Sequence, residues 1–362
     1  MVTISLCMIV KNEEAVLARC LDTVCDLVDE IIIVDTGSTD GTKQIAAKYT
    51  DKIYDYKWIN DFADARNFSF SKATMEYIYA PDADELLDEE NRKRFRQLKE
   101  CLLPEIELVQ MKYITERSDD AVMNVKKEYR PKLFKRLRTF TWIDPVHETV
   151  RLDPVVYDSE VEIIHRPVGT HEKRDFAIFA EEIKRRGRLS PKLRTMYARE
   201  LLKRGEITDL EAAESYFLSL WEENPVNDAG KEAACILARL ARMQGNATRL
   251  MKYALRDMLE TPCAEICCEL GLHFCEEADY DEAVVWFVNA AYETQSILDV
   301  HTRGNLPLEK LVYCYEQLIR IQEDKETSCS DNTAANDLLR EYKRQLGQYQ
   351  EALDAWELPE TL

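Results

Sequence analysis

The sequence predicts an α/β domain with a mostly parallel sheet, followed by an all-α domain of helical repeats. Residues 1–80 alternate apolar β-type runs with segments of helical spacing. The run Glu30–Val34 contains four consecutive β-branched residues, which is typical of a central parallel strand buried on both faces. After residue 169 almost every segment has helical periodicity. We therefore predict two domains, at residues 1–170 and 171–362.

Composition excludes several classes of protein. The chain of 362 residues is long enough for two cores, and its net charge of −20 argues against nucleic acid as a main partner. The N-terminus lacks a basic start and is expected to form a first strand instead of a signal peptide. No stretch approaches the roughly 20 apolar residues of a transmembrane helix. Eleven cysteines without a secretory signal predict a cytoplasmic location.

The elements of the first domain follow in a regular order. The expected strands are Ile4–Val10, Glu30–Val34, Lys52–Tyr56 and Glu76–Ala80, and the expected helices are Glu13–Cys25, Thr42–Tyr49 and Asp61–Ala73. Such repeated βα units form a parallel, doubly wound sheet that binds ligands at the carboxyl ends of its strands. Four shorter strands should add an antiparallel extension that completes the site: Leu108–Thr115, Tyr129–Leu137, Phe140–Ile143 and Val161–His165.

The second domain contains nine predicted helices. The segment that includes Asp279-Tyr-Asp-Glu-Ala-Val-Val-Trp-Phe resembles a tetratricopeptide repeat, a helix pair of about 34 residues. Leu193–Leu220 and the segment from Leu346 resemble weaker copies. Such pairs stack into superhelical arrays, although a generic helical bundle is an alternative. We interpret Cys263, Cys267, Cys268 and Cys275 as buried thiols in preference to a metal cluster.

The triplet Asp82-Ala-Asp84 directly follows the fourth predicted strand. Carboxylate oxygens suit hard divalent cations. In an acidic chain such a triplet alone is more often a solvated loop, so its meaning depends on the other motifs of the domain.

Four sequence blocks in order carry a resemblance to a known family. They are Ser5–Glu14, Asp29–Thr42, Asp64–Asn67 and Asp82–Glu85. With these blocks, residues 3–166 resemble the family-2 glycosyltransferases of GT-A fold. The resemblance implies an inverting transferase that uses a UDP-sugar together with Mn²⁺ or Mg²⁺.

The resemblance also implies roles for the residues that bind the nucleotide-sugar. Asp35 would contact the uridine, and Lys11 and Asn12 the base or ribose. Asp64, Arg66 and Asn67 would face the diphosphate-sugar. Two structural alternatives stay open: Ser38–Asp40 as a helix-capping turn, and the Asp64/Arg66 segment as a salt-bridged helix face.

Metal and catalytic roles follow from the same resemblance. Asp84 is the stronger candidate ligand for the cation, Asp82 would contact ribose or a metal-bound water, and His165 would complete the metal site. Glu148 is the first candidate for the general base, with His147 orienting substrate. Asp144 is the alternative base, and before Pro145 it could equally form a turn. His165 could equally be structural. Glu85 could contact the metal ligands without binding the metal, or it could be an acidic residue at the start of a helix.

The segment Lys126–Arg138 contains seven basic residues in thirteen. This local reversal of charge in an acidic chain could steer an anionic donor or acceptor. A solvated strand edge protected by charge is the alternative.

The leading hypothesis is a glycosyltransferase whose helical repeats recruit a peptide or protein acceptor, form a homodimer, or both. A polysaccharide or lipid-linked acceptor is the second hypothesis. A non-catalytic helical scaffold is a third, from another class, and a nucleotidyltransferase is disfavoured because no Gly-rich loop follows the first strand. The sequence does not identify the sugar or the acceptor atom.

Overall fold

The computed structural model describes residues 1–115, 127–150, 153–166, 174–224, 226–258, 261–326 and 333–359. Two compact units divide the chain, Met1–Arg185 and Arg186–Leu358. The boundary at residue 170 that the sequence suggests lies within the first unit. No helix among these residues has the length and apolar character needed to cross a bilayer.

The first unit contains ten strands and five helices among the residues described. The strands are β1 Ile4–Val10, β2 Glu30–Asp35, β3 Ile53–Asp55, β4 Tyr77–Tyr79, β5 Glu85–Leu86, β6 Leu108–Thr115, β7 Lys127–Lys135, β8 Trp142–Ile143, β9 Thr149–Val150 and β10 Val156–His165. The helices are α1 Leu17–Val24, α2 Thr42–Ala46, α3 Phe62–Phe70, α4 Glu89–Cys101 and α5 Arg174–Arg186.

Eight of these strands form one mostly parallel sheet in the order β3-β2-β1-β4-β7-β6-β10-β5. Strands β3, β2, β1 and β4 are mutually parallel, with Val10 opposite Asp35 and Leu6 opposite Tyr79. The predicted fold class, an α/β domain followed by helices, is therefore confirmed. Strand β7 is antiparallel to both of its neighbours.

The predicted antiparallel extension is wrong in two respects. The segment Phe140–Ile143 forms no strand of this sheet, because β8 pairs with β9 in a separate two-stranded sheet. Strand β10 also runs parallel to β6. The chain reverses direction into β7 and reverses again before β10, and these two reversals restore the direction of β6.

Helix α4 was not predicted from the sequence. Its buried side includes Asn91 and Lys99 beside Phe95, and the Lys99 ammonium donates to the Leu27 carbonyl oxygen at 3.0 Å. Polar residues thus fill positions where an apolar stripe would reveal a helix.

Both faces of the sheet are covered by apolar side chains. Alternate residues of β1 face opposite sides: Leu6 packs in the same cluster as Leu17 of α1 and Phe95 of α4. Cys7 packs in the other cluster, which contains Phe134 and Trp142. Burial on both faces explains why the parallel strands are continuously apolar. The polar groups at the strand ends are therefore held on a rigid base.

The second unit is a stack of helices. They are α6 Pro191–Arg204, α7 Ile207–Glu223, α8 Asp228–Met243, α9 Ala247–Met258, α10 Ala264–Glu276, α11 Tyr280–Val288, α12 Asn305–Glu326 and α13 Thr333–Asp354. Helices α7 and α8, α10 and α11, and α12 and α13 pack as sequential neighbours, while α6 and α10 both pack on α8. This arrangement confirms a tetratricopeptide-like organisation of helix pairs.

The cysteines of this unit are mainly core residues. Cys263, Cys267 and Cys268 are buried, whereas the Cys275 Sγ lies 3.3 Å from the Cys314 Sγ. The ten cysteines in the part of the chain that the structure describes are all free thiols. Among the described residues, Cys263 lies with Cys235 and Glu265, whose possible ligand atoms are within 4.8 Å of one another, and the four cysteines considered in the sequence do not form such a group.

Candidate active site

The candidate site lies where the parallel strands of the first unit end. Strands β1, β2 and β4 run in the same direction, so the residues after Val10, Asp35 and Tyr79 lie at one edge of the sheet. The carboxyl edge of a parallel sheet is where α/β folds bind ligands. The sheet therefore brings three of the four sequence blocks to the same edge.

The end of β2 presents a buried carboxylate. Asp35 is only 1% exposed, and its Oδ1 accepts backbone hydrogen bonds from Gly37 at 2.9 Å and Ser38 at 2.8 Å. Gly37 has a φ of +104°, a conformation that favours glycine. Asp35 Oδ2 is buried and accepts no hydrogen bond from any described residue. Since a buried acceptor without a donor is costly, this oxygen is poised to accept an N–H or O–H of a ligand.

The loop after β1 is tied to the loop after β2. Asn12 Oδ1 accepts the Thr39 N–H at 2.8 Å, and the Asn12 N–H donates to Ser38 Oγ at 2.9 Å. The helix-capping alternative for Ser38–Asp40 is not met in this form, because the N-cap of α2 is Gly41, which has no side-chain cap. Asp40 precedes it, and its Oδ1 accepts the Thr42 N–H at 3.0 Å. Lys11 is exposed. Asn12 thus orders both loops, while the Lys11 ammonium is accessible to solvent.

Arg66 connects the acidic triplet with Glu148. Its Nη2 donates to Asp82 Oδ1 at 3.0 Å, its Nε donates to Glu148, and the guanidinium lies 5.1 Å from the centre of the Trp142 ring. Burial raises the pKa of Asp82, but the charges of Lys132 and Arg66 outweigh it and hold that pKa well below its usual range. Arg66 therefore bridges two carboxylates from distant parts of the sequence.

Asp84 and His165 form the second pair of the site. Asp84 Oδ2 lies 3.1 Å from His165 Nε2, and each side chain is 24% exposed. Strand pairing sets this contact, because His165 at the end of β10 lies opposite Glu85 of β5. The imidazole also lies 5.2 Å from the Tyr113 ring, measured between centroids. Two of the three sequence-predicted metal residues, Asp84 and His165, are thus adjacent and reachable from solvent.

Lys132 belongs to the site, although its position was not predicted. Its Nζ lies 2.6 Å from Glu85 Oε1 and 3.5 Å from Asp82 Oδ2, and the side chain is 6% exposed. Burial raises the pKa of Glu85 to about 7, against the lowering effect of Lys132. Lys132 lies on β7, which runs between β4 and β6. The alternative of a solvated strand edge is therefore wrong for β7, and Lys126 lies outside the described residues.

The hairpin β8–β9 carries the candidate bases. The Asn67 side chain donates to the Trp142 carbonyl oxygen at 3.0 Å and accepts the Trp142 N–H at 2.8 Å. This double contact fixes the hairpin against α3. Asp144 has a φ of +74° and His147 a φ of +50°, left-handed values that Asp and His adopt in turns. The turn-forming alternative for Asp144 thus has conformational support, and the His147 ring stacks 6.2 Å from Phe179.

Asp64 has a different environment from Arg66. Its backbone N–H donates to Asp61 Oδ1 at 3.0 Å, which caps α3, and its carboxylate accepts a hydrogen bond from the Tyr56 hydroxyl. Arg66 pairs with Asp82 and Glu148. The expected alternative of a salt bridge along the helix face is therefore wrong, since both partners of Arg66 lie on other elements.

The chain is similar in sequence to known glycosyltransferases. Residues 5–147 match the model of the Glycosyl transferase family 2. Residues 5–147 thus form a family-2 glycosyltransferase domain. Over 308 residues the chain is 28% identical to the SPbeta prophage-derived glycosyltransferase SunS of Bacillus subtilis, covering 82% of this chain and 69% of that protein.

Shorter matches involve other bacterial proteins. A TPR repeat-containing protein of Synechococcus elongatus is 47% identical over 87 residues, which are 24% of this chain and 22% of that protein. The lipopolysaccharide core biosynthesis glycosyltransferase LpsC of Rhizobium meliloti is 32% identical over 99 residues, covering 26% of this chain and 33% of that protein. The chain thus spans only about a fifth to a third of the length of these two relatives.

A solved structure is also similar to about half of the chain. It is glucosyl-3-phosphoglycerate synthase from Mycobacterium tuberculosis in complex with Mn²⁺, UDP and glucosyl-3-phosphoglycerate. The TM-score is 0.39 at 17% identity, over 52% of this chain and 82% of that one.

Proposed function

We propose that this chain transfers a sugar from a UDP-sugar to a side chain of a peptide or protein, with a divalent cation at Asp84 and His165. The observation that carries this proposal is the Arg66 bridge between Asp82 and Glu148. This bridge supports the proposal because the Arg66 guanidinium would face the donor diphosphate, and the neighbouring Glu148 carboxylate would take the acceptor proton.

The nucleotide end of the donor would bind at Asp35. The free Asp35 Oδ2 is buried and lacks a donor among the described residues. The imide N–H of a uracil would supply one. Lys11 and Asn12 lie at the neighbouring strand end, where they would contact the base or ribose. The exposed Lys11 is free to move toward a bound ligand, whereas the Asn12 side chain already holds Thr39.

The donor atoms of the site fit a hard divalent cation. Asp84 offers carboxylate oxygens and His165 an imidazole nitrogen, a mixed set that suits Mn²⁺. Asp82 is the weaker ligand, because Arg66 and Lys132 already lie close to its two oxygens. A cation bound here would offset the charge that builds on the leaving nucleoside diphosphate.

The proposed reaction is an inverting displacement. The acceptor nucleophile forms a bond to the anomeric carbon, the bond from that carbon to the diphosphate oxygen breaks, and the acceptor proton passes to Glu148. Arg66 suits the diphosphate charge because its guanidinium presents a planar set of donors. Asp64 would contact the sugar, and Asn67 would position the hairpin that carries Glu148. Asp144 is the alternative base, with His147 orienting the acceptor.

A polypeptide acceptor is proposed because stacked helix pairs provide an extended surface of the kind that binds peptides. A polysaccharide or lipid-linked acceptor is the second candidate, favoured by the match to LpsC, whose name places it in lipopolysaccharide core biosynthesis. A cytoplasmic location and a homodimer through the helical unit stay predictions.

Two assays test this function. Incubation with a panel of UDP-sugars and Mn²⁺ should release UDP, and mass spectrometry of supplied peptides should show an added hexose mass. Asp84→Asn should lower UDP release by at least about 100-fold, a typical effect for a lost transition-state contact. The exposed Asp51→Asn is the matched control. If no donor yields UDP, the transferase proposal fails and the hypothesis of a non-catalytic helical scaffold is retained.

A further inference from the structure

The helical unit contains a cleft of about 550 Å³ formed by the first turns of α6, the start of α8 and Ile297. Its volume lies within the range of small-ligand sites. Four lining side chains are cationic and two are anionic, whereas the whole chain has a net charge of −20. The cleft therefore reverses the prevailing charge of the protein.

One ion pair on the wall of the cleft already has its hydrogen-bond partners within the protein. Arg194 Nε lies 2.6 Å from Glu232 Oε2, and Glu232 Oε1 accepts the Thr195 hydroxyl hydrogen at 2.6 Å. Glu232 is buried. These residues shape the wall and leave little charge for a ligand.

Arg199 and Lys231 carry charges that no described carboxylate neutralises. The Arg199 Nε is buried and has no hydrogen-bond partner in the described part of the chain. Lys231 donates to the hydroxyl of Thr261, which is neutral. A buried guanidinium nitrogen without an acceptor is unfavourable, so an anion that enters the cleft would relieve that cost.

We propose that the cleft binds an acidic peptide segment, with an Asp or Glu carboxylate of that segment on Arg199 and Lys231. A guanidinium presents paired donors that match the two oxygens of a carboxylate. Met196 and Ile297 also line the cleft, and they give apolar contact to a peptide that a free inorganic anion would not use. This inference rests on the proposed polypeptide acceptor, to which the acidic segment would belong.

Removal of the negative charge of Asp228 should have the opposite effect on peptide binding. This residue lines the same cleft and is exposed at the start of α8, where it repels an incoming carboxylate. Removing its charge should therefore strengthen binding, whereas removing the Arg199 charge should weaken it.

The experiment uses the full chain and two fluorescein-labelled peptides of equal length. One contains four Asp residues among Gly and Ser, and the other has Asn in their place. Fluorescence anisotropy should show binding of the Asp peptide alone. Arg199→Gln should raise its Kd at least about tenfold, Lys231→Gln should raise it less, and Asp228→Asn should lower it. Arg340→Gln, an exposed change of the same type on α13, should leave the Kd unchanged.

Several results would overturn the proposal. The first is equal binding of both peptides. The second is an unchanged Kd in both Arg199→Gln and Lys231→Gln. The third is displacement of the labelled Asp peptide by inorganic phosphate at the same concentration as unlabelled Asp peptide. UDP release by the same variants separates this proposal from the catalytic one. If the charge changes alter peptide binding as predicted but no variant releases UDP, the transferase proposal fails and the peptide-binding proposal is retained. Normal UDP release without selective peptide binding gives the reverse conclusion.

Discussion

Lys132 Nζ lies 2.6 Å from Glu85 Oε1 within the sheet, and both side chains are almost fully buried. Glu85 Oε2 in turn accepts the backbone N–H of Asp82 at 3.2 Å. The acidic triplet is thus connected to β7 through a buried ion pair. This connection explains why a short loop after β4 can hold its carboxylates in place.

Replacing Lys132 with Met should destabilise the protein strongly. It would leave Glu85 buried without its cation, a change that typically costs about 3–5 kcal/mol. The double variant Lys132→Met with Glu85→Gln should recover much of that loss. Urea denaturation of Lys132→Met, Glu85→Gln and the double variant measures the coupling between the two residues. A loss below about 1 kcal/mol in Lys132→Met would show that the pair does not hold the loop.

Arg66→Lys should reduce sugar transfer much more than it reduces stability. A lysine ammonium keeps the charge but lacks the fork that contacts Asp82 and Glu148 together. We expect kcat for UDP release to fall by about 100-fold or more. Arg96→Lys, a half-exposed position paired with Asp26, is the control. Equal kcat in both variants would contradict a catalytic role for the bridge.

Glu30 should make stability depend on acid pH. Burial raises the pKa of Glu30, but Lys52, Ser5 and Thr74 outweigh it and lower that pKa from 4.5 to about 2. A lowered native pKa means that the stabilisation is present above pH 4.5 and is lost as the pH falls toward 2. Glu30→Gln should therefore lose about 3 kcal/mol at pH 7 and less than half of that at pH 3. Denaturation at both pH values, with the exposed Glu105→Gln as control, measures this; a loss independent of pH would contradict it.

Gly271 marks a close approach between α10 and α11. A Cβ at this position would lie 2.7 Å from the Phe287 ring, whereas nothing lies within 4 Å of a Cβ at Gly347. Gly271→Ala should therefore cost about 1–3 kcal/mol through overpacking. Gly347→Ala within α13 should be neutral or stabilising by up to about 1 kcal/mol. Thermal denaturation compares the two variants, and a neutral Gly271→Ala would show that the helix pair can relax.

Local patterns predicted much of the fold. Strands β1 and β6 have the bounds that their apolar residues predicted, because a continuous apolar face identifies them. Strand β5 has only two residues, and α4 buries Asn91 and Lys99, so neither has a clear apolar pattern. Their stability comes from tertiary hydrogen bonds that a local pattern does not contain.

The site was predicted as a set of residues but not as a network. The pairing of β7 with β4 brings Lys132 beside the loop that leads to Glu85. The hairpin brings Glu148 to Arg66, 82 positions away. Neither contact follows from spacing along the chain. The double contact of Asn67 with Trp142 is equally non-local. The concentration of basic residues in Lys126–Arg138 was the available signal for Lys132.

The most direct test of a nucleotide and metal site is calorimetric titration of UDP with and without Mn²⁺. The wild-type protein should bind UDP more tightly when Mn²⁺ is present. Asp84→Asn should bind UDP equally with and without Mn²⁺, while Asp35→Asn should weaken UDP binding in both conditions and keep the response to Mn²⁺. Asp51→Asn should match the wild type. An unchanged Mn²⁺ dependence in Asp84→Asn, or undetectable UDP binding by the wild type with Mn²⁺ present, would contradict the account.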